Sequence, residues 1–272
     1  MKERKEVEEV EEVNEVKEKC GGIAAFFDLD GTLVAGPSLE RRFFRRLRYR
    51  QAIPAKNYFL WLREAVRIAP RGIRAIRYAN KMYLRRVPLG ELERQANEIL
   101  FFAEAMDRVA WHAKQRHKIV IVSGTLEPLA REAAMGLESE LEARGIAAEI
   151  DVCATRLEES VGRWTGRVVG VAMYGESKAH AVQRMAKEKR LDLTKCYAYG
   201  DSTMDRWLLA AVGRPVAVNA SKGLLRIAQG RNWPVLFWEK REEEESTQSS
   251  QKAQRSQGKS GKKEVAGSES EG

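Results

Sequence analysis

Short apolar runs that stop at small or acidic residues recur along this chain. Ile23-Ala24-Ala25-Phe26-Phe27 ends at a Gly-containing turn, and Ile119-Val120-Ile121-Val122, preceded by Lys118, ends at Ser123-Gly124. Cys196-Tyr197-Ala198-Tyr199 ends at Gly200, and Pro215-Val216-Ala217-Val218 at Asn219. Continuous apolar runs of this length suit strands buried on both faces, as in parallel sheets. Helical periodicity fills the gaps between them, for example over 178–190 and 205–212. Strands alternating with helices predict an α/β fold around a parallel sheet.

From Pro37 to about Ala110 the pattern is helical throughout, broken at Pro54, at Pro70 with Gly72, and at Pro88. A helical insertion after the first strand is expected there. The Gly-spaced β-formers over 161–169 predict a hairpin between sheet strands, and there is no internal repeat of solenoid period.

Composition separates the two ends from this body. Residues 1–20 are almost wholly Glu, Lys and Val, which predicts a charged, frayed helical arm; residues 239–272 run through Glu, Ser, Gln, Lys and Gly, which predicts a disordered tail. A core of 21–36 plus 111–238 with a helical cap of 37–110 remains. No run of 18 apolar residues is present, and a charged arm rather than an apolar signal region follows Met1, so a cytoplasmic location is expected. Cys20, Cys153 and Cys196 are odd in number and lack paired short spacings, which reads as reduced thiols. His112, His117 and His180 have no metal-helix spacing and read as surface or cap residues.

The candidate chemistry stands at the ends of the strands, where open α/β sheets bind ligands. Asp28-Leu29-Asp30-Gly31-Thr32 follows the first, and residues two apart in extended chain share a face, so Asp28 and Asp30 come together. Two such anions repel unless a cation or a shared proton intervenes. Ser123, beside Gly124, offers a hydroxyl for a phosphate oxygen. Lys178, after Gly175-Glu176-Ser177, opens a helix where an ammonium and free N–H groups meet an anion. Gly200-Asp201-Ser202-Thr203-Met204-Asp205 adds two carboxylates, a donor set for a hard cation such as Mg²⁺. Taken singly, Ser123 is a turn residue and Lys178 a solvated lysine; in conjunction they make a site.

These residues resemble the haloacid dehalogenase (HAD) superfamily. Its first motif, D-x-D-x-T, matches Asp28, Asp30 and Thr32, and the others match Ser123, Lys178 and Gly200-Asp201 with Asp205. The chain is most similar to the IB subfamily that contains phosphoserine phosphatase. The resemblance implies a Rossmann-like parallel sheet with an inserted α-helical C1-type cap. It also implies a Mg²⁺-dependent phosphomonoesterase, for which the basic charge of the insertion, rather than the resemblance, suggests a small or lipid-linked phosphate. In that reading Asp28 attacks phosphorus and Asp30 carries the proton. Mg²⁺ is held by Asp28, Asp201 and the Asp30 backbone carbonyl; Ser123, Gly124 and Lys178 bind phosphate oxygens, and Thr32 and Asp205 support. The glutamate expected nine residues after the nucleophile, which would read a substrate ammonium, is replaced by Pro37. Glu40 takes that role only if the cap starts differently.

Charge is concentrated in the insertion. Lys and Arg number 48 against 39 Asp and Glu, a formal charge of +9, yet Glu64 is the sole acid from Arg41 through Arg86. Such a cap concentrates anionic substrates or holds the protein on an acidic membrane surface. No zinc signature or RNA-binding aromatic motif suggests a specific nucleic-acid partner. Phosphoryl transfer to another acceptor, and a non-catalytic basic adaptor for acidic lipid or nucleic acid, are the rival readings.

Overall fold

A computed structural model describes residues 21–92 and 99–239; the expected arm and all of the expected tail beyond Glu239 lie outside them. The chain divides into two units, Met1–Trp238 and Glu239–Gly272, and the fold and the site belong to the first.

Six strands form one sheet: β1 (Ala24–Phe27), β2 (Lys118–Leu126), β3 (Ile150–Thr155), β6 (Tyr197–Gly200), β7 (Arg214–Val218) and β8 (Val235–Leu236). Their order is β3-β2-β1-β6-β7-β8, and every pairing is parallel. Asp28 therefore leaves the sheet at its centre, between the ends of β2 and β6. All four residues of β1 are buried, as a strand covered on both faces requires. The expected α/β class and parallel sheet are present; β3 and β8 are strands that the apolar pattern does not single out.

Helices cover the two faces. α5 (Glu127–Ala143) follows β2 and buries Leu129, Ala133 and Leu137; α6 (Glu176–Glu188) buries Lys178, Val182 and Ala186. α7 (Arg206–Ala210) and α8 (Lys222–Gly230) share the core cluster of α6 through Leu208, Leu209, Leu224 and Ala228. α4 (Ala103–Lys114) runs through the expected boundary at 110 and buries Ala105, Met106, Val109 and His112 on one face.

His112 is thus a core residue, contrary to the surface or cap placement expected from sequence. Its position on the same helical face as Ala105 and Val109 carries it inward. There it meets the Phe27 ring edge-on, with Nε2 2.9 Å from the Tyr199 hydroxyl and Nδ1 2.8 Å from His117 Nδ1. Burial, then the neighbouring His117, lowers its pKa to about 3.

The insertion is helical as expected: α1 (Leu39–Tyr49), α2 (Lys56–Ile68) and α3 (Ile73–Ala79), joined by short 3₁₀ turns. Ser38 caps α1 by accepting the Arg41 N–H, and the turn at Pro70 ends α2. The hairpin β4 (Leu157–Ser160) and β5 (Arg163–Val168) also forms as expected. It is stitched to the insertion by hydrogen bonds from Arg86 N to the Trp164 carbonyl and from Trp164 N to the Val87 carbonyl, 2.7 and 3.1 Å. Gly166 has φ +83°, and a Cβ there would lie 3.0 Å from Met82 Cα, so glycine permits this close approach.

Candidate active site

Asp28, Asp30, Ser123, Gly124, Lys178, Asp201 and Asp205 all line one cavity of about 730 Å³ at the carboxyl ends of the strands. Thr32 is the exception. It is fully buried in the turn after Asp30, and its hydroxyl meets no hydrogen-bond partner among the described residues.

Lys178 is the electrostatic hub. Its Nζ lies 2.5 Å from Asp28 Oδ1 and 2.6 Å from Asp205 Oδ1, and the side chain is almost wholly buried. Burial alone would lower the ammonium's pKa; Asp205 and Asp28 reverse this and hold it above its ordinary value. Burial raises the Asp28 pKa well above the usual carboxylate range, against the pull of Lys178, with Asp205 and Asp201 adding to the rise. Asp201 is pushed up to about 7 by burial and by Asp205. One ammonium among three carboxylates leaves excess negative charge, which a further cation would neutralise.

Asp28, Asp201 and Asp205 each present an oxygen, all within 4.8 Å of one another. Oxygen donors alone, in a buried anionic cluster, fit a hard divalent cation. Sequence gives Asp205 only a supporting place, yet its carboxylate belongs to this cluster. Ser202 donates its backbone N–H and hydroxyl to Asp205 Oδ2, at 3.0 and 2.6 Å, and fixes that orientation. Gly31 closes the other side: its φ is +89°, and a Cβ would sit 2.5 Å from Asp201 Oδ2.

The Asp30 carboxylate faces elsewhere. Oδ2 accepts the Thr125 hydroxyl at 2.6 Å, and Oδ1 accepts the backbone N–H of Leu39 at 2.8 Å. Burial raises its pKa despite these two bonds. A carboxyl whose pKa burial raises, and which two donors hold in a fixed orientation, is equipped to carry a proton.

Ser123 is buried, and its Oγ accepts the Thr125 N–H at 3.2 Å. A Cβ on Gly124 would lie 3.3 Å from the Met173 carbonyl, so the backbone passes close beside the cavity wall. Thr155 braces the segment by donating to the Gly124 carbonyl at 2.9 Å and accepting the Met173 N–H at 3.1 Å.

Thr125, Thr155 and Ser202 do not stand out in the sequence as site residues. Thr125 has a signal, being two residues from Ser123 at a strand end; Thr155 has none, because its contacts depend on packing. The insertion supplies the opposite wall through Glu40, Arg41, Phe44, Tyr58, Trp61, Arg77, Tyr78 and Tyr83. Tyr78 stacks on Tyr174 from the core, ring centres 4.8 Å apart.

Fold and site together define an α/β enzyme with an aspartate-rich pocket. Residues 25–210 match the haloacid dehalogenase-like hydrolase family, and the chain belongs to it. A probable phosphatase of Mycobacterium tuberculosis is 31% identical over 229 residues, covering 80% of this chain and 76% of its own. A phosphoserine phosphatase of the same organism is 27% identical over 241 residues, covering 78% and 70%. Within the family this chain falls among the phosphatase hydrolases, and it is similar to phosphoserine phosphatases. A solved protein of unknown function from Bordetella pertussis Tohama I superposes with a TM-score of 0.61 at 26% identity, covering 79% of this chain and 98% of that one.

Proposed function

We propose that the protein hydrolyses phosphomonoesters through a phospho-aspartate on Asp28. The observation that carries this is the contact of Lys178 with Asp28 and Asp205 beside an Asp30 carboxylate held apart by Thr125 and Leu39. Lys178 opposes the rise that burial imposes on Asp28, and a cation bound in the acidic cluster would complete its ionisation; Asp30, turned away from that ammonium and held by Thr125 and Leu39, is placed to carry a proton.

An Asp28 oxygen attacks phosphorus and the bond to the leaving oxygen breaks, with Asp30 giving that oxygen its proton. Water then loses a proton to the Asp30 carboxylate and attacks phosphorus. The Asp28–phosphorus bond breaks, phosphate leaves, and both acids return to their starting states. Ser123, the Gly124 backbone and Lys178 bind the non-bridging oxygens and supply positioning and charge. Asp28, Asp201, Asp205 and the Asp30 backbone carbonyl would hold Mg²⁺, which when bound would favour ionised Asp28 and offset negative charge on the phosphoryl group. Thr32 supports the turn that carries both acids.

The test is phosphate release from a panel of phosphomonoesters with Mg²⁺ and with EDTA, for the wild type and Asp28→Asn. Metal-dependent release that Asp28→Asn abolishes supports the reading; release by Asp28→Asn at the wild-type rate refutes it.

The insertion favours a second element of this reading, contact with an acidic membrane surface and a lipid-linked phosphate. Phe59, Leu62 and Val66 are all more than half exposed and share one face of α2 with Arg63, while Ala65 and Ile68 turn inward. Exposed apolar groups among arginines suit an anionic interface. Tyr58 and Trp61 of the same helix reach the cavity.

A further inference from the structure

Glu40 lines the cavity from the first turn of α1, and it is not a vacant acceptor. Its Oε1 takes the Lys81 ammonium and, at 2.6 Å, the Tyr83 hydroxyl. Lys81 is 1% exposed. A carboxylate facing a partly desolvated pocket demands a cation, and a substrate bearing an ammonium is the obvious external source. Here the chain supplies that cation itself.

Two further cations remain on the same wall. Arg41 and Arg77 line the cavity, and neither has an ion-pair partner among the described residues. With Glu40 and Lys81 cancelling, the wall facing the leaving group carries two guanidinium groups and aromatic rings. A second ammonium entering would meet repulsion; an anion would meet two donors suited to carboxylate or phosphate.

We propose that Lys81, buried behind the cavity wall, neutralises Glu40 together with Tyr83 and so stands in for the ammonium that this carboxylate would otherwise take from a ligand. The enzyme therefore takes phosphomonoesters whose leaving group carries no cation and bears a second anionic group, which Arg41 and Arg77 receive. This rests on the phosphomonoesterase reading and adds the specificity that Pro37, standing where a glutamate is expected, leaves open.

The probes are three matched esters: para-tolyl, para-(aminomethyl)phenyl and para-(carboxymethyl)phenyl phosphate. The expected kcat/KM order is carboxymethyl above tolyl above aminomethyl, with roughly tenfold between neighbours for charges a few ångströms apart. Arg41→Gln and Arg77→Gln each compress the carboxymethyl-to-tolyl ratio. Lys81→Met frees the Glu40 carboxylate and moves the ratio toward the aminomethyl ester. The Glu40→Gln/Lys81→Met double variant, which buries no lone charge, removes that gain.

Calorimetric titration of the same esters into Asp28→Asn protein reads the preference without turnover. If no ester is hydrolysed but the binding order holds, the phosphatase reading fails and the charge selection stands. A flat or reversed order in both assays, or a ratio that Lys81→Met leaves unchanged while thermal melting shows a folded protein, overturns the inference.

Discussion

The carboxylate of Asp30 accepts the backbone N–H of Leu39, the first residue of α1, at 2.8 Å. The acid proposed to carry the proton is therefore tied to the segment that begins the helical insertion, and any movement of α1 is felt at Asp30. Its second anchor is the Thr125 hydroxyl.

Thr125→Val deletes that anchor and little volume. Because the Thr125 bond lowers the Asp30 pKa, its loss raises it further. Turnover is expected to fall by about 10²-fold, the scale of a general acid–base contribution. The Asp30 limb of the kcat pH profile should move to higher pH. An unchanged profile would separate Thr125 from Asp30.

Gly31→Ala places a Cβ 2.5 Å from Asp201 Oδ2 at a residue with φ +89°. The backbone strain alone costs about 1–3 kcal/mol. The larger effect is on the acidic cluster, which must open. Weaker Mg²⁺ affinity, measured from the dependence of turnover on metal concentration, is the expected result, with the melting temperature lowered only by a few degrees.

Lys178→Met leaves Asp28 and Asp205 buried without their shared partner. Breaking such a pair costs about 3 kcal/mol when the remaining charges cannot be neutralised. Protonating the acids neutralises them, so the deficit relative to wild type, measured by denaturant melts in EDTA, should shrink as pH falls. A deficit that grows on acidification would contradict the role given to Lys178.

His112 is held neutral in the core, its pKa lowered to about 3 from an ordinary 6.5 by burial first and His117 second. Between those values the unfolded chain binds more protons than the folded one. Stability is therefore complete above 6.5 and lost as pH falls toward 3, by about 2 kcal/mol at pH 5 from this group. His112→Gln should flatten that slope in thermal melts.

Phe59→Ser with Leu62→Ser removes two exposed apolar groups from α2 and none of the core. Sedimentation with vesicles of anionic lipid should show binding lost by several-fold in the variant, and weakened by salt in both proteins. Equal binding by both would leave the arginines as the whole attraction.

The strands carrying the chemistry are legible in the sequence because each is a continuous apolar run ending at a polar cluster: β1 before Asp28, β2 before Ser123, β6 before Asp201. β3 is not, since Asp151 and Thr155 break its apolar character, and β8 is only two residues long. The motif residues converge because the parallel sheet brings those ends side by side. Contacts that packing alone determines stay hidden: Thr155 bracing Gly124, Ser202 orienting Asp205, and Lys81 reaching Glu40 from 41 residues away. The inward face of α4 is equally unreadable, which is why His112 reads as a surface or cap residue until the helix is seen against the sheet.

The most direct test of the phospho-aspartate mechanism is a rapid acid quench of the wild-type enzyme during turnover with Mg²⁺ and a good phosphomonoester, followed by peptide mass spectrometry. The expected result is the mass of one phosphoryl group on Asp28, absent in Asp28→Asn and without Mg²⁺. Turnover with no modified Asp28, or a phosphoryl group on another residue, would contradict it.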